Sequence, residues 1–408
     1  MKCRHCSSKL KHTFVDLGSS PPSNSYLSKE ALKEAEQCYP LKVMVCNHCW
    51  LVQTEDFVKV DTMFASDYAY FSSYSTSWLE HAKDYVEKVS SNFYLNSNSM
   101  VVEIASNDGY LLQYIKDKNI PCYGIEPTHN TAQAARDKGI EVIEEFFGVD
   151  VAGRLAKQGR QADLMIANNV LAHVPNINDF VQGFSILLKP NGVATFEFPY
   201  VLNLMKNNQF DTIYHEHYSY LSFTAVCNIF DFNGLDVFDV EQIPTHGGSL
   251  RVYAQISDSG VYKVNINVED LKEKEVKAGI NSINTYRGFQ EQAEDIKNNF
   301  LSFLIEAKNN GHSVVGYGAA AKGSTMLNFS GARPDLLPYV VDKSDAKQGK
   351  FMPGSRVPIM SETQLKKDKP DYIVIFPWNI QDEIIEQLAY IREWGCKFVI
   401  FIPSMRVI

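Results

Sequence analysis

The chain has 408 residues, 45% of them hydrophobic and 21% charged, with a formal net charge of −9. That length predicts two or three domains, each able to bury its own core. The acidic balance argues against nucleic acid as a partner, no apolar run is long enough to span a bilayer, and the opening residues lack the apolar stretch of a signal peptide, so a cytoplasmic protein is expected.

The first block, residues 1 to about 60, carries two CxxC knuckles, Cys3–Cys6 and Cys46–Cys49. Two knuckles supply four thiolates, the tetrahedral set that zinc prefers in closed structural sites. His5 and His48 are possible substitute ligands, and two separate redox pairs are the alternative. A four-thiolate site has no open position, so its zinc folds the module and does no chemistry. The Leu17–Tyr26 stretch, rich in Gly, Ser and Pro, is expected to be loop, and Val43–Val45 a strand leading into the second knuckle. The other cysteines, Cys38, Cys122, Cys227 and Cys396, are scattered and expected to be reduced.

The second block, about 61–258, alternates strand and helix. Met100–Ile104, Cys122–Ile125, Glu141–Ile143, Ala162–Ala167 and Gly192–Phe198 are short apolar runs, separated by helical spacing such as Asn130–Lys138. This reads as a parallel, doubly wound sheet. Two late strands, Leu235–Val240 and Ser249–Ala254, are expected to be antiparallel. Ligands of such sheets bind beyond the carboxyl ends of the strands. The residues there are Glu103, Ala105, Asn107 and Gly109, then Glu126 and Pro127, then Asn168 and Asn169. With one glycine in the first loop, a pyrophosphate is poorly served. An acidic residue at the first strand end suits a cationic or amine-bearing ligand, and Glu126 is placed to take two ribose hydroxyls. This pattern resembles S-adenosylmethionine-dependent methyltransferases with a Rossmann-like sheet; a dinucleotide enzyme with a degenerate loop is the alternative.

Thr212–Tyr220 follows the fifth strand and packs two imidazoles, one carboxylate and three phenols into nine residues. In extended backbone His215 and His217 would face one side and Tyr214, Glu216 and Tyr218 the other. His173, after the fourth strand, is expected beside the cofactor's reactive end. Tyr68 and Tyr70, just before the sheet, are expected to fold over the site.

The third block, about 259–408, opens with a charged helical stretch from Val268 to Asn309. A second strand–turn–helix unit begins at Ser313–Gly318, and Tyr339–Asp342, Tyr372–Phe376 and Phe398–Ile402 are further buried strands. The small-residue turn around Gly318 and Ala319 opens a helix, where free N–H groups favour a phosphate. It is not a Walker A loop, because Lys322 precedes Gly323. A tight turn of purely structural use is the alternative.

Taken together, the CxxC pairs, Tyr68-x-Tyr70-x-Ser72-Ser73, Glu103-x-x-Ser106-Asn107-Asp108-Gly109, Gly124–Pro127, Asn168–His173, Tyr214-x-Glu216-His217, His246–Arg251 and Gly316–Gly323 resemble the sugar C-methyltransferase family over the whole chain. That family acts on nucleotide-linked 4-keto-deoxysugars. The resemblance implies an N-terminal zinc module, a central class I methyltransferase Rossmann-like sheet and a smaller C-terminal Rossmann-like α/β domain. It implies methyl transfer from S-adenosylmethionine to a ring carbon beside the ketone, commonly C3. It matches His217 to the base, Glu216 to its partner, Tyr214 to an acid–base or oxyanion-stabilising group, and His173 and Tyr68 to the pocket facing the sugar. His215 competes with His217 for the base role. Tyr70 and Ser73 join the cofactor set. His246, Arg251, Gly318, Ala319 and Lys322 form the substrate set, with Arg251 and Lys322 as cations toward a diphosphate and Trp378 and Asn379 toward the base or ribose. A monomer or weak homo-oligomer is expected. The alternatives are an N- or O-methyltransferase, which needs no carbon acid deprotonated, and a non-catalytic zinc-containing nucleotide-binding scaffold.

Overall fold

The computed structural model describes residues 1–57 and 71–408. Three sheets organise them. The first has four antiparallel strands, β1 (His12–Ser20), β2 (Tyr39–Val45), β3 (Val52–Thr54) and β9 (Ser219–Tyr220), in that spatial order. Most of the stretch Leu17–Tyr26 expected as loop is loop, but β1 continues to Ser20. A register shift between Asp16 and Ser19 absorbs Gly18, whose φ is +77°. The last strand of this sheet comes from residues 219–220, so the zinc module is completed by the middle of the chain.

The second sheet has seven strands in the order β10-β11-β8-β7-β4-β5-β6. Strands β4 (Val101–Ile104), β5 (Cys122–Ile125), β6 (Glu141–Ile143), β7 (Ala162–Asn168) and β8 (Leu188–Pro199) are parallel. As expected, β10 (Leu235–Ile243) and β11 (Ser249–Ile256) pair antiparallel. β11 also runs antiparallel to β8. The chain leaves β4 toward β5 and β6, then returns to the other side of β4 at β7. The crevice where direction reverses lies beyond the carboxyl ends of β4 and β7, and ligands of open α/β sheets bind at such crevices. Apolar side chains cover both faces, Phe184, Phe196 and Phe230 on one and Tyr85, Leu111 and Ile115 on the other.

The third sheet repeats the device with six strands, β14 (Ile359–Met360), β13 (Val340–Val341), β12 (Val314–Tyr317), β15 (Tyr372–Ile375), β16 (Lys397–Ile400) and β17 (Arg406–Val407) in spatial order. All but β17 are parallel. The stretch expected as helical from Val268 to Asn309 is three helices, Ile266–Ala278, Ile283–Tyr286 and Phe289–Asn309. Left-handed Gly279 and Gly288 interrupt it, because a glycine C-cap ends one helix and a glycine N-cap restarts another.

The three sheets do not stand apart. One apolar cluster takes Phe14 and Val43 from the first, Phe210 and Ile213 from the connection after β8, and Phe289, Phe300, Val340 and Phe376 from the C-terminal part. Phe14 stacks on Phe289 at 4.5 Å between centroids. Side chains from all three parts therefore meet at one place, and that is where the titratable groups collect.

Candidate active site and zinc centre

The two knuckles share one local geometry. In each, the N–H after the second cysteine returns to the first cysteine's carbonyl, Ser7 to Cys3 and Trp50 to Cys46, both at 3.0 Å. Ser7 and Trp50 take positive φ, 59° and 62°, to make that return. The sulfurs of Cys3, Cys6, Cys46 and Cys49 all lie within 4.8 Å of one another, with Cys3 to Cys49 at 3.5 Å and Cys6 to Cys46 at 3.6 Å. Thiolates about 2.3 Å from a tetrahedral zinc sit roughly 3.8 Å apart, so the set fits that ion. Among the described residues it is the one group of His, Cys, Asp and Glu so placed. His5 is not part of it: its Nδ1 lies 2.8 Å from Asn178 Oδ1. His48 is exposed. Gln53 Nε2 donates to Cys3 Sγ at 3.2 Å, the outer hydrogen bond that a thiolate ligand accepts.

The nine-residue cluster after β8 is not extended. It begins as a 3-10 turn, Phe210–Thr212, and then folds back with the His217 N–H on the Tyr214 carbonyl at 3.0 Å. The expected alternation therefore fails. His215 turns away, with Nε2 3.3 and 3.2 Å from the carbonyls of Tyr39 and Pro40 in β2. Tyr214 and His217 meet instead, phenol oxygen to Nε2 at 2.7 Å. His217 Nδ1 lies 2.8 Å from the Thr212 carbonyl. A carbonyl only accepts, so Nδ1 carries the proton and Nε2 is the acceptor, facing the Tyr214 hydroxyl. Burial, with the Lys322 charge in support and the hydrogen bond to the Thr212 carbonyl opposing, pushes His217 well below the ordinary histidine range, so the ring is neutral.

His173 packs edge-on against His217, 4.7 Å between ring centroids. Burial pushes it down to about 4, opposed by a hydrogen bond to the Glu216 backbone. Glu216 is 3% exposed; burial raises it to about 7, and the hydrogen bond from Asn24 opposes that rise. The Glu216 carboxylate hydrogen-bonds to Asn24 in the zinc module's loop.

Lys322 enters from the C-terminal part, on the helix Ala321–Ser330. Thr325 of that helix donates to the Ile213 carbonyl at 2.8 Å, which docks it on the turn. The Lys322 ammonium lies 5.5 Å from the Trp378 ring centre, and the Trp378 indole donates to Asp211 at 2.7 Å. Burial raises Asp211 to about 7 and lowers Lys322, while their mutual attraction opposes both shifts. Gly318, at the end of β12, has φ +92° and sits against Pro377, whose ring a Cβ would meet at 2.4 Å. The Ala319 carbonyl is taken by Tyr26 and Lys347, at 2.6 and 2.9 Å.

At the end of β4, Ala105, Asn107 and Gly109 all have positive φ. Gly109 has φ +74°, a conformation that side chains rarely adopt, and a Cβ there would also press on the Ile140 side chain at 2.5 Å. Glu126 braces this loop: its carboxylate accepts from the Asn107 N–H at 3.0 Å and the Thr128 N–H at 2.9 Å. Asn107 Oδ1 accepts from the Ser72 N–H, and the Ser73 hydroxyl accepts from Lys138, both at 2.9 Å. Glu103 is 1% exposed, with Tyr110 as its hydrogen-bond neighbour, and burial holds its carboxyl well above the ordinary range. Pro127 forms the turn into the next helix. Tyr68 and Tyr70 lie outside the described residues.

Sequence comparison decides what this arrangement belongs to. The family description "C-methyltransferase C-terminal domain" matches residues 244–403, "Methyltransferase domain" residues 77–240, and "Putative zinc binding domain" residues 3–64. The chain is 34% identical over 407 residues to the C-methyltransferase NovU of Streptomyces niveus, covering 100% of this chain and 96% of that one. The chain belongs to the C-methyltransferase family. Solved structures are more distant. The PH0226 protein of Pyrococcus horikoshii is 13% identical with TM-score 0.39, covering 46% of this chain and 95% of that one. The magnesium protoporphyrin IX methyltransferase of Synechocystis, solved with bound SAH, is 15% identical with TM-score 0.36, covering 44% and 83%.

As a C-methyltransferase the chain uses S-adenosylmethionine and carries zinc. Its crevice fits the cofactor. The side-chain amides of Asn168 and Asn169, at the carboxyl end of β7, have neither donor nor acceptor satisfied among the described residues. Buried amides in that state mark a polar ligand. Among the described residues no helix is long and apolar enough to cross a membrane.

The C-methyltransferase cleft has a wall that sequence reasoning missed. Glu197, in the apolar run of β8, is fully buried with Arg251 Nη2 at 2.6 Å, His81 Nε2 at 2.8 Å and the Thr245 hydroxyl at 2.9 Å. Burial alone would raise Glu197, but His81 and Arg251 outweigh it and hold it at about 2. Arg251, expected to reach a phosphate, is turned inward and lies 4.6 Å from the Tyr85 ring centre. Thr245 begins the tight turn of His246, which has φ 53°, packs tilted against Trp78 at 5.1 Å between ring centroids and is lowered by burial to about 4. A glutamate inside an otherwise apolar strand was the available signal.

Proposed function

We propose that this C-methyltransferase methylates a nucleotide-linked 4-keto-deoxysugar at C3, with His217 as the base. The observation that carries this is the fixed tautomer of His217. Its Nδ1 proton is committed to Thr212, which leaves Nε2, beside the Tyr214 hydroxyl, as the basic nitrogen. A ring C–H next to a ketone is a weak carbon acid and needs both a positioned base and something to offset the enolate charge. Nε2 takes the proton, and the C–H electron pair moves into the enolate. The Tyr214 hydroxyl, which already donates to that nitrogen, yields it to the carbon acid and remains available to the enolate oxygen. Glu216 is the partner that the motif gives His217; its ionised form, populated as pH rises through about 7, favours the imidazolium that proton abstraction creates. His173 packs the imidazole in place, and Tyr68 is assigned to the same pocket. Lys322 is the positive charge set against the substrate's anionic groups, with His246, Gly318 and Ala319 around it and Arg251 acting from behind through Glu197.

Bound S-adenosylmethionine supplies a methyl group on a positively charged sulfur. Glu126 takes its ribose hydroxyls, and Ser73, Glu103, Ala105, Asn107, Gly109, Pro127, Asn168 and Asn169 line the crevice. The test is incubation with S-adenosylmethionine and 4-keto-deoxysugars linked to dTDP, GDP or CDP. A product heavier by one methyl, located on carbon by NMR, supports the reading. Methyl on nitrogen or oxygen, or no product with any of these sugars, overturns it.

A further inference from the structure

The Glu216 carboxylate lies at the foot of the catalytic turn, yet its hydrogen bond comes from a residue 192 positions away. Asn24, in the loop after β1, donates its Nδ2 to Glu216 Oε1 at 2.7 Å. Among the described residues no other side chain hydrogen-bonds this carboxylate. The other end of the Asn24 amide is also engaged: its Oδ1 is 3.2 Å from the Tyr26 hydroxyl. That hydroxyl lies 2.6 Å from the Ala319 carbonyl, which Lys347 reaches at 2.9 Å. The Ala319 N–H in turn donates to Asp342 at 2.8 Å. A carboxylate accepts, so the amide presents its Nδ2 donor to Glu216 and its Oδ1 to the Tyr26 hydroxyl, whose single proton is shared between Oδ1 and the closer Ala319 carbonyl. A donor favours the ionised form. One short line of polar groups thus runs from the turn after β12, through the zinc module's loop, to the Glu216 carboxylate.

We propose that Asn24 is a positioning residue for catalysis: its amide orients Glu216 and holds it ionised beneath the Tyr214–His217 turn, and Tyr26 locks that amide against the C-terminal part. The inference rests on the reading of this turn as the catalytic element. The titratable groups around Glu216 are few. Tyr26 and Tyr218 are phenols that burial pushes up, Tyr218 to about 12, so both are neutral at working pH. His173 meets the Glu216 backbone, not its carboxylate, and burial keeps it neutral. With Asn24 the one group opposing burial at Glu216, its loss moves the carboxyl further up from about 7. The acid limb of kcat then moves up too.

The experiment measures kcat and KM across the neutral range for wild type, Asn24→Ala, Asn24→Asp and Glu216→Gln. For Asn24→Ala we expect kcat at neutral pH about tenfold to a hundredfold lower, the scale of a lost hydrogen bond to a charged group. KM for S-adenosylmethionine should not change, one zinc per chain should remain, and the acid limb should move to higher pH. Asn24→Asp, which keeps the shape and sets carboxylate against carboxylate, should move the limb further still. A purely structural role for Asn24 would lower zinc content or melting temperature and leave the limb in place; that result overturns the inference. An unchanged kcat and limb in both Asn24 variants, with Glu216→Gln impaired, also overturns it. If Glu216→Gln is itself fully active, the underlying reading of the turn falls first. Should Asn24→Ala fail to fold, Tyr26→Phe removes only the brace: a smaller upward move of the limb supports the proposal, and an unmoved limb overturns it.

Discussion

Replacing Glu197 by Gln removes a negative charge from a point where three partners converge. The carboxylate is fully buried, with Arg251, His81 and Thr245 at 2.6, 2.8 and 2.9 Å. A carboxyl held at about 2 in place of its ordinary 4.5 stabilises the fold by roughly 3 kcal/mol at neutral pH. Breaking one side of a buried ion pair costs ~3–5 kcal/mol, because Arg251 is left buried without its counter-charge. The two arguments agree, and we expect Glu197→Gln to be destabilised by ~3–5 kcal/mol at pH ~7. The sign of the pH dependence follows from the lowered carboxyl. Its contribution is complete above the unfolded value and is lost as pH falls toward the folded one. By pH ~3 more than half of the contribution should be gone. Urea denaturation of wild type and variant, followed by tryptophan fluorescence at both pH values, measures the difference. A gap under ~1 kcal/mol at neutral pH, or a gap that widens on acidification, would refute the reasoning.

Other outcomes follow from the same geometry. Cys46→Ser should lose the zinc, measured by metal analysis of freshly purified protein, and should unfold the N-terminal sheet in hydrogen-exchange experiments; full zinc in that variant contradicts the four-sulfur site. Glu126→Ala should weaken S-adenosylmethionine binding by ~1.5–3 kcal/mol in calorimetry, since both a ribose acceptor and the brace on Asn107 are lost; unchanged affinity would misplace the cofactor. Tyr214→Phe removes the hydroxyl at His217 Nε2 and should lower kcat about tenfold with cofactor affinity intact; full activity would remove Tyr214 from the mechanism.

Much of the architecture is legible in the residues because its signals are local. The CxxC pairs give the zinc site, short apolar runs give the parallel strands, and Gly279 and Gly288 punctuate a helical stretch that periodicity alone reads as continuous. The catalytic turn is harder. Alternation places His215 beside His217, but one backbone hydrogen bond from His217 to Tyr214 reverses the chain and sends His215 to β2. The roles of Asn24 and Glu197 were hidden for a different reason, although a glutamate in an apolar strand marks the second as unusual. Each acts through partners distant in sequence, Glu216 for the first, His81 and Arg251 for the second, and no spacing rule links them.

The central claim is that His217 removes a proton from the sugar carbon before methyl transfer. The most direct measurement is solvent exchange at that carbon in D₂O, with substrate bound and S-adenosylmethionine left out, in wild type, His217→Asn and His215→Asn. Asparagine keeps the shape and cannot accept the proton, and loss of a general base costs about 10²–10⁴-fold. The account predicts exchange in wild type and in His215→Asn, and none above background in His217→Asn, while calorimetry shows the substrate still bound. Exchange that persists in His217→Asn and disappears in His215→Asn would contradict it.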